Sequence, residues 1–118
     1  MFIDALQYIR PSRAIFGQMR VGKLSAVHIT VGYHEDFLGV VENLQNWNRW
    51  FEGCGDLIAR ATTCEEIAAA NASGKTAILF GLQNPLAIGA DLGRVEVLAQ
   101  LGIRFCQMTY NQQTLLGA

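Results

Sequence analysis

The 118 residues carry a formal net charge of −1; 51% of them are hydrophobic and only 16% are charged, against roughly 25% in an ordinary soluble domain. Lysine and arginine are scattered rather than gathered in a stripe, which argues against nucleic acid as a partner. The sequence has neither a basic segment ahead of a long apolar run nor an apolar stretch long enough to span a bilayer, so we expect no signal peptide and no membrane contact.

In the first third of the chain, strand-like and helix-like hydrophobic periods alternate. Residues 2–8 predict a short strand, after which Pro11 opens a helix and Gly22 supplies a left-handed cap. Residues 24–31 are rich in β-branched side chains and predict a second strand. The longest helix is predicted for residues 36–52, with apolar side chains at three- and four-residue spacing.

The middle of the chain predicts an extended piece at residues 57–61 and then a helix. Thr63 and Glu66 have the spacing of a capping box, in which each side chain satisfies a free backbone amide at the helix start. That helix is expected to end at Gly74.

Residues 75–82 give the clearest strand, because they are almost wholly apolar and fit a strand covered on both faces. After a loop, Asp91 is a suitable N-cap for a helix that Gly102 ends and that carries Leu92, Val95, Leu98 and Ala99 on one apolar face. Residues 103–109 predict the last strand, and a polar loop follows.

Several side chains invite a functional interpretation but fit a structural role better. Trp47 and Trp50 could stack on a ligand, yet their helical spacing favours an aromatic face packed on a sheet. His28 lies within a strand, where a hydrogen-bonded interior histidine is favoured over a ligand. For Asp4, a hydrogen bond to a neighbouring backbone amide is favoured over a catalytic carboxylate.

The three cysteines, Cys54, Cys64 and Cys106, lie far apart without Cys-x-x-Cys spacing. An odd number of unpaired cysteines favours reduced thiols, and therefore a cytoplasmic location, over a disulfide framework. Cys106 lies in an apolar run, so we expect it to be a small core residue.

Strands and helices alternate without a hairpin signal, which favours a parallel sheet with right-handed crossovers. The first strand–helix turn lacks a dinucleotide-binding glycine pattern and no phosphate-binding loop is present. These absences favour a (β/α)8 TIM-type barrel over an open sheet. Such a barrel needs about 250 residues, so residues 1–118 are expected to form one domain that is the N-terminal portion of a larger barrel.

Reactive residues of parallel α/β folds gather at the carboxyl ends of the strands. Here those ends carry amides, phenols and one imidazole, while carboxylates and thiolates, the usual acid–base groups, are scarce. The His34-Glu35 pair fits a polar loop or helix start better than catalysis. The candidate substrate-pocket residues are Gln7 and Tyr8, Tyr33 and His34, Gln83 and Asn84, and Tyr110 and Asn111.

Most of the chain resembles the renal (membrane) dipeptidase family, through its opening strand and several segments of its second half. The similar segments are residues 3–8, 78–84, 91–98, 101–105 and 108–112. The resemblance implies a (β/α)8 barrel that holds two zinc ions and hydrolyses dipeptides.

The same resemblance indicates where the family's metal ligands fall, and this sequence departs from the family there. The His-x-Asp pair of the first strand falls on Leu6 and Tyr8, the metal-bridging glutamate on Gln83, and the substrate-contacting histidine on Tyr110. Leucine has no lone pair and a neutral amide binds zinc weakly, so we expect a degenerate two-zinc site without metal ligands in this stretch. The family's two other histidines would lie beyond Ala118 and could hold a single zinc ion.

Three functional hypotheses remain open. The first is a dipeptidase-like, amidohydrolase-like enzyme that acts on a small dipeptide or amino-acid-derived substrate with altered or lost metal chemistry. The second is a non-catalytic barrel scaffold that binds a small molecule or a partner. The third is a free-standing small α/β domain. Because the family often pairs, a homodimer is a candidate assembly.

Overall fold

Five strands and four α-helices alternate along residues 1–117, which the computed structural model describes. The strands are β1 (Phe2–Gln7), β2 (Leu24–Gly32), β3 (Ile58–Arg60), β4 (Thr76–Leu82) and β5 (Ile103–Cys106), and the helices are α1 (Arg13–Val21), α2 (Phe37–Gly53), α3 (Cys64–Ala72) and α4 (Gly93–Gln100). A 3-10 turn, Pro85–Ala87, follows β4. None of these helices has both the length and the apolar character that a membrane crossing requires.

All strand pairs in the sheet are parallel, and β4 is the central strand. β1 pairs with β2, and β2 pairs with one edge of β4. The other edge of β4 is shared, because β3 pairs with residues 76–78 and β5 pairs with residues 80–82. The order β1-β2-β4-β5 is that of the first four strands of a (β/α)8 barrel, with β3 as a short addition, which confirms the predicted fold class.

The outer face of the sheet carries the main core. Val27 and Ile29 of β2 pack there with Phe80 of β4 against side chains of α1, α2 and α4. Trp47 is 5% exposed, and its ring centroid lies 5.5 Å from that of Phe80 and 6.0 Å from that of Phe16. The aromatic face of α2 is therefore packed on the sheet, as the helical spacing indicated.

The inner face alternates with the outer one along each strand. Near the amino ends of the strands it is covered by α3, where Ala26 and Ala77 pack with Ala61 and Ala70. The outermost strands leave apolar side chains uncovered, including Phe2 and Ile3 of β1 and Phe105 of β5. Sheet edges of this kind are normally covered by a further strand or another element.

Two helix starts follow the predictions. Asp36 is the N-cap of α2, and its carboxylate accepts a hydrogen bond from Gly39 N at 2.9 Å. The capping box of α3 is complete, since Glu66 N donates to Thr63 Oγ1 at 3.2 Å and Thr63 N donates to the Glu66 carboxylate. These contacts satisfy amides that have no partner within the helix.

The boundaries of α1 differ from the prediction. The helix begins at Arg13 and not at Pro11, and the hydroxyl of the N-cap residue Ser12 accepts a hydrogen bond from Ile15 N. Gly22 has a φ of −73° and is not a left-handed cap; Lys23 adopts the left-handed conformation instead, with a φ of 54°. Gly22 and Lys23 form the whole turn, because β2 begins at the next residue, Leu24.

The start of α4 was also predicted one position too early. Asp91 accepts a hydrogen bond from Gly93 N at 2.9 Å, but Leu92 occupies the N-cap position without a side-chain cap. Leu98 of the predicted apolar face is buried, whereas Leu92 is 67% exposed and Val95 is exposed as well. Only part of that face reaches the sheet.

β5 ends three residues earlier than predicted, at Cys106 instead of Thr109. It pairs with β4 along one edge, and its other edge has no strand beside it among the described residues. Cys106, at the end of this strand, is exposed, so the expectation of a core cysteine was wrong.

Candidate functional site

The carboxyl ends of β1, β2 and β5 bring three phenols together, which we call the tyrosine cluster (Tyr8, Tyr33 and Tyr110). The ring centroid of Tyr33 lies 5.8 Å from that of Tyr8 and 4.9 Å from that of Tyr110. Asn111 Nδ2 lies 3.4 Å from the Tyr33 hydroxyl, and the His34 ring packs against Tyr33 at 4.0 Å. Five of the eight residues predicted for a substrate pocket therefore meet.

The chemistry of the tyrosine cluster is that of neutral hydrogen-bond donors. Desolvation and the neighbouring Tyr110 hydroxyl both raise the pKa of Tyr33, whereas the Asn111 amide lowers it to a smaller extent. The Tyr33 phenol is therefore protonated at neutral pH, and can donate a hydrogen bond to a carbonyl or carboxylate oxygen.

Glu35 shapes the turn between β2 and α2. Its carboxylate accepts hydrogen bonds from Tyr33 N at 2.6 Å and from His34 N at 3.0 Å. Desolvation alone would raise the pKa of Glu35, but these backbone hydrogen bonds and the Asn43 amide lower it overall. The carboxylate is thus ionised and engaged in the loop, which supports the structural interpretation of the His34-Glu35 pair.

A second group of side chains lines a cavity of about 260 Å³ on the inner face of the sheet, which we call the inner cavity. It contains both Leu6 and Gln83, two of the positions on which the resemblance noted in the sequence would place metal ligands. Tyr8, the third such position, lies in the tyrosine cluster. The residues that line the inner cavity are Ala5, Leu6, His28, Leu82, Gln83, Phe105, Cys106 and Gln107.

The imidazole of His28 is held on three sides within the inner cavity. His28 Nδ1 lies 2.8 Å from the carbonyl oxygen of Ala5 and donates to it, as predicted for an interior histidine. The ring stacks on Phe105 with centroids 4.5 Å apart. A Cβ at Gly81 would overlap His28 Nε2, so a larger residue there would strain or displace the ring. A glycine within a strand can signal such a close approach, but the sequence interpretation did not use it.

The remaining predicted pocket residues are buried or held by neighbours. Gln7 Nε2 donates to Asp4 Oδ2 at 2.7 Å, and Asp4 Oδ1 accepts from Leu6 N, the backbone hydrogen bond predicted for this aspartate. Gln83 lies in the inner cavity and is 7% exposed. Asn84 is 1% exposed, and neither polar atom of its side chain has a hydrogen-bond partner among residues 1–117.

The donor set around these positions does not fit a pair of zinc ions. Leu6 offers no lone pair, and Gln83 offers only a neutral amide. Within the described part of the chain, no three His, Cys, Asp or Glu side chains come close enough together to hold a metal ion.

A further cavity of about 890 Å³ lies between the β1–α1 loop and α2, and the sequence did not predict it. Arg10, Arg13 and Arg49 line it, together with Tyr8. The guanidinium of Arg13 is paired with the Asp56 carboxylate, with one N–O distance of 3.0 Å. The three arginines are 3 to 39 positions apart in sequence, so no local motif indicates this groove.

Residues 16–118 match the model of a protein family described as membrane dipeptidase, peptidase family M19. A solved amidohydrolase from Pseudomonas aeruginosa has 37% sequence identity and a TM-score of 0.95, with 98% of this chain and 35% of that chain covered. The probable dipeptidase PvdM from Pseudomonas aeruginosa has 16% identity and a TM-score of 0.79, with 97% and 36% covered.

A third solved structure, dipeptidase AC, a metallopeptidase of family M19, has 13% identity and a TM-score of 0.76, with 91% of this chain and 42% of that chain covered. At such low identity, this structure and PvdM support the fold alone. The chain spans about 35% of the length of the amidohydrolase. None of the curated proteins matches this chain.

Proposed function

Because the chain belongs to the membrane dipeptidase family, peptidase family M19, we propose that it forms part of a dipeptidase-like hydrolase that acts on a small dipeptide or another amino-acid-derived substrate. The observation that carries the proposal is the family match over residues 16–118, which agrees with the resemblance noted in the sequence. In this proposal residues 1–118 are the first portion of a single barrel domain, and the activity belongs to the complete barrel.

The substrate is proposed to bind at the carboxyl ends of β1, β2, β4 and β5. In barrel enzymes this is the end where reactive residues lie. The tyrosine cluster would hold a carbonyl or carboxylate oxygen of the substrate through its phenol hydroxyls. Asn111, next to Tyr33, offers an amide to the same group.

The two-zinc site of the family is proposed to be degenerate in this protein. Support comes from Leu6 and Gln83, which lie together in the inner cavity but lack the imidazole and carboxylate that two divalent ions need. Losing several ligands together removes the negative charge that holds such ions. The rest of the barrel could still supply ligands for one zinc ion.

A screen of dipeptides on the intact protein, with and without added zinc, tests the hydrolase proposal. We expect hydrolysis of a dipeptide or of an amino-acid amide, without the steep zinc dependence of an enzyme with two metal ions. A protein that binds such compounds but turns over none of them would refute the hydrolase and leave the alternative, a non-catalytic barrel scaffold. The scarcity of free carboxylates at the strand ends is the observation that favours this alternative.

A cytoplasmic location and a homodimer are also proposed. Cys54, Cys64 and Cys106 are all free thiols, which supports a reducing compartment. Light scattering on the intact protein would give its mass, and a monomeric mass at micromolar concentration would refute the dimer.

A further inference from the structure

Two buried polar atoms on the inner face of β2 have no hydrogen-bond partner among residues 1–117. They are Nε2 of His28, a residue that is 9% exposed, and Oγ1 of Thr30, a residue that is 7% exposed. The two residues are separated by one position, so they lie on the same face of the strand. A buried polar group without a partner is unfavourable, and native proteins rarely leave one unless water or a ligand completes it.

The hydrogen bond made by His28 Nδ1 determines that the lone pair lies on Nε2. Because Nδ1 donates its proton to the carbonyl oxygen of Ala5, the neutral ring has an unprotonated Nε2 that can only accept a hydrogen bond. Phe105 and Gly81 fix the plane and the position of the ring. The unpaired acceptor is therefore preorganised instead of free to turn toward solvent.

Among residues 1–117, all side chains that line the inner cavity are uncharged at neutral pH. Burial lowers the pKa of His28, and partial desolvation of its thiol raises the pKa of Cys106. The polar groups that remain are the amide of Gln83 and that of Gln107, whose Nε2 already donates to the carbonyl oxygen of Thr109. A charged ligand group would lose its hydration here without gaining an opposite charge, whereas a neutral amide would find both donors and acceptors.

We infer that the inner cavity binds a neutral amide group of the substrate, with the amide N–H donating to His28 Nε2. This inference rests on the proposed function, because it assigns a substrate class to the same barrel mouth. A volume of about 260 Å³ is small for a ligand pocket, and suits one amide group or one small ring. Gln83 lines the same cavity, and its side chain can pair with the amide carbonyl.

Three small ligands separate the contributions of charge and of the N–H group. Piperazine-2,5-dione is a neutral cyclic dipeptide with two N–H groups, its N,N′-dimethyl derivative lacks both, and glycylglycine is the zwitterionic open form of the first. Calorimetry on the intact protein should show that piperazine-2,5-dione binds most tightly. The dimethyl compound should bind about tenfold more weakly, which corresponds to one net hydrogen bond.

Two substitutions of His28 give a matched pair. In His28→Asn the amide reaches the position of Nδ1 only, so the affinity for piperazine-2,5-dione should fall about tenfold. In His28→Gln the amide reaches the position of Nε2, so most of the affinity should return. Neither variant should change the affinity for the dimethyl compound. Circular dichroism spectra establish whether both variants are folded.

Several results would overturn the inference: no binding of piperazine-2,5-dione, tighter binding of glycylglycine, or equal affinities for wild type and a folded His28→Asn. If the Asn variant does not fold, the inference is tested on the wild type by the 15N chemical shift of His28 Nε2. This signal should shift when piperazine-2,5-dione is added, and an unchanged signal would overturn the inference. Binding without turnover of any dipeptide would refute the hydrolase but leave this inference standing. Turnover of dipeptides without binding of piperazine-2,5-dione would refute this inference and leave the hydrolase proposal standing.

Discussion

Replacing Gly81 with alanine should destabilise the intact protein. The added Cβ would overlap Nε2 and Cε1 of the His28 ring and approach the Cβ of Phe105. The ring cannot simply rotate away, because it is stacked on Phe105 and bonded to the carbonyl oxygen of Ala5. The alanine therefore either strains this arrangement or displaces the imidazole.

The size of the effect follows from three contributions. Forcing an extra methyl group into a packed site costs about 1–3 kcal/mol, and loss of the His28–Ala5 hydrogen bond adds about 1 kcal/mol. The backbone at position 81 does not have a positive φ, so alanine can adopt it without backbone strain. Alanine also lowers the entropy of the unfolded chain, which stabilises the folded protein by about 0.4–1 kcal/mol. The net loss of unfolding free energy is expected to be about 1–3.6 kcal/mol.

Urea titration followed by tryptophan fluorescence measures this loss, since Trp47 lies in the core near Phe80. Gly17→Ala is the matched control, because a Cβ at this helical position meets no atom within 4 Å, and it should stabilise the protein by about 0.5–1 kcal/mol. The overlap argument is refuted if Gly81→Ala is as stable as the wild type while the control behaves as expected.

Three further predictions concern the fold and its pH dependence. Trp47→Ala should lower the unfolding free energy by about 3–5 kcal/mol, because it removes a buried ring that contacts both α1 and β4; a loss below 1 kcal/mol in urea titration would contradict this packing. Thr63→Ala should cost about 1 kcal/mol through loss of the capping box, whereas Thr63→Ser, which keeps the hydroxyl, should cost little; equal values for the two variants would argue against the cap. Since the pKa of Glu35 is lower in the folded protein than its ordinary value of 4.5, Glu35 contributes stability above that pH and loses it as the pH falls through the folded-state pKa. Glu35→Gln should therefore flatten the acid side of a plot of melting temperature against pH, and an unchanged slope would contradict the role of its backbone hydrogen bonds.

The elements that could be predicted from the sequence are those with strong local signals. The apolar run of β4 and the capping box at Thr63 depend on neighbouring residues, and both have the predicted form. The meeting of Tyr8, Tyr33 and Tyr110 was also predictable, because parallel strands bring their carboxyl ends to one edge. Their role as a substrate pocket stays a prediction.

The features that could not be predicted from the sequence depend on contacts between residues far apart in the chain. His28 and Gly81 are far apart in the chain and meet only because β2 and β4 pair in register. The burial of Asn84 and the exposure of Cys106 follow from what lies beside each strand end, which hydrophobic periodicity does not encode. The positive φ falls on Lys23 and not on Gly22, which residue type alone does not indicate.

The number of zinc ions bound per chain of the intact protein at saturating zinc tests the central claim most directly. If Leu6, Tyr8 and Gln83 replace the family's ligands as the resemblance implies, at most one zinc ion is expected by elemental analysis after removal of excess metal. Two tightly bound zinc ions per chain, with anomalous scattering next to Leu6 and Gln83, would contradict the proposed loss of the binuclear site.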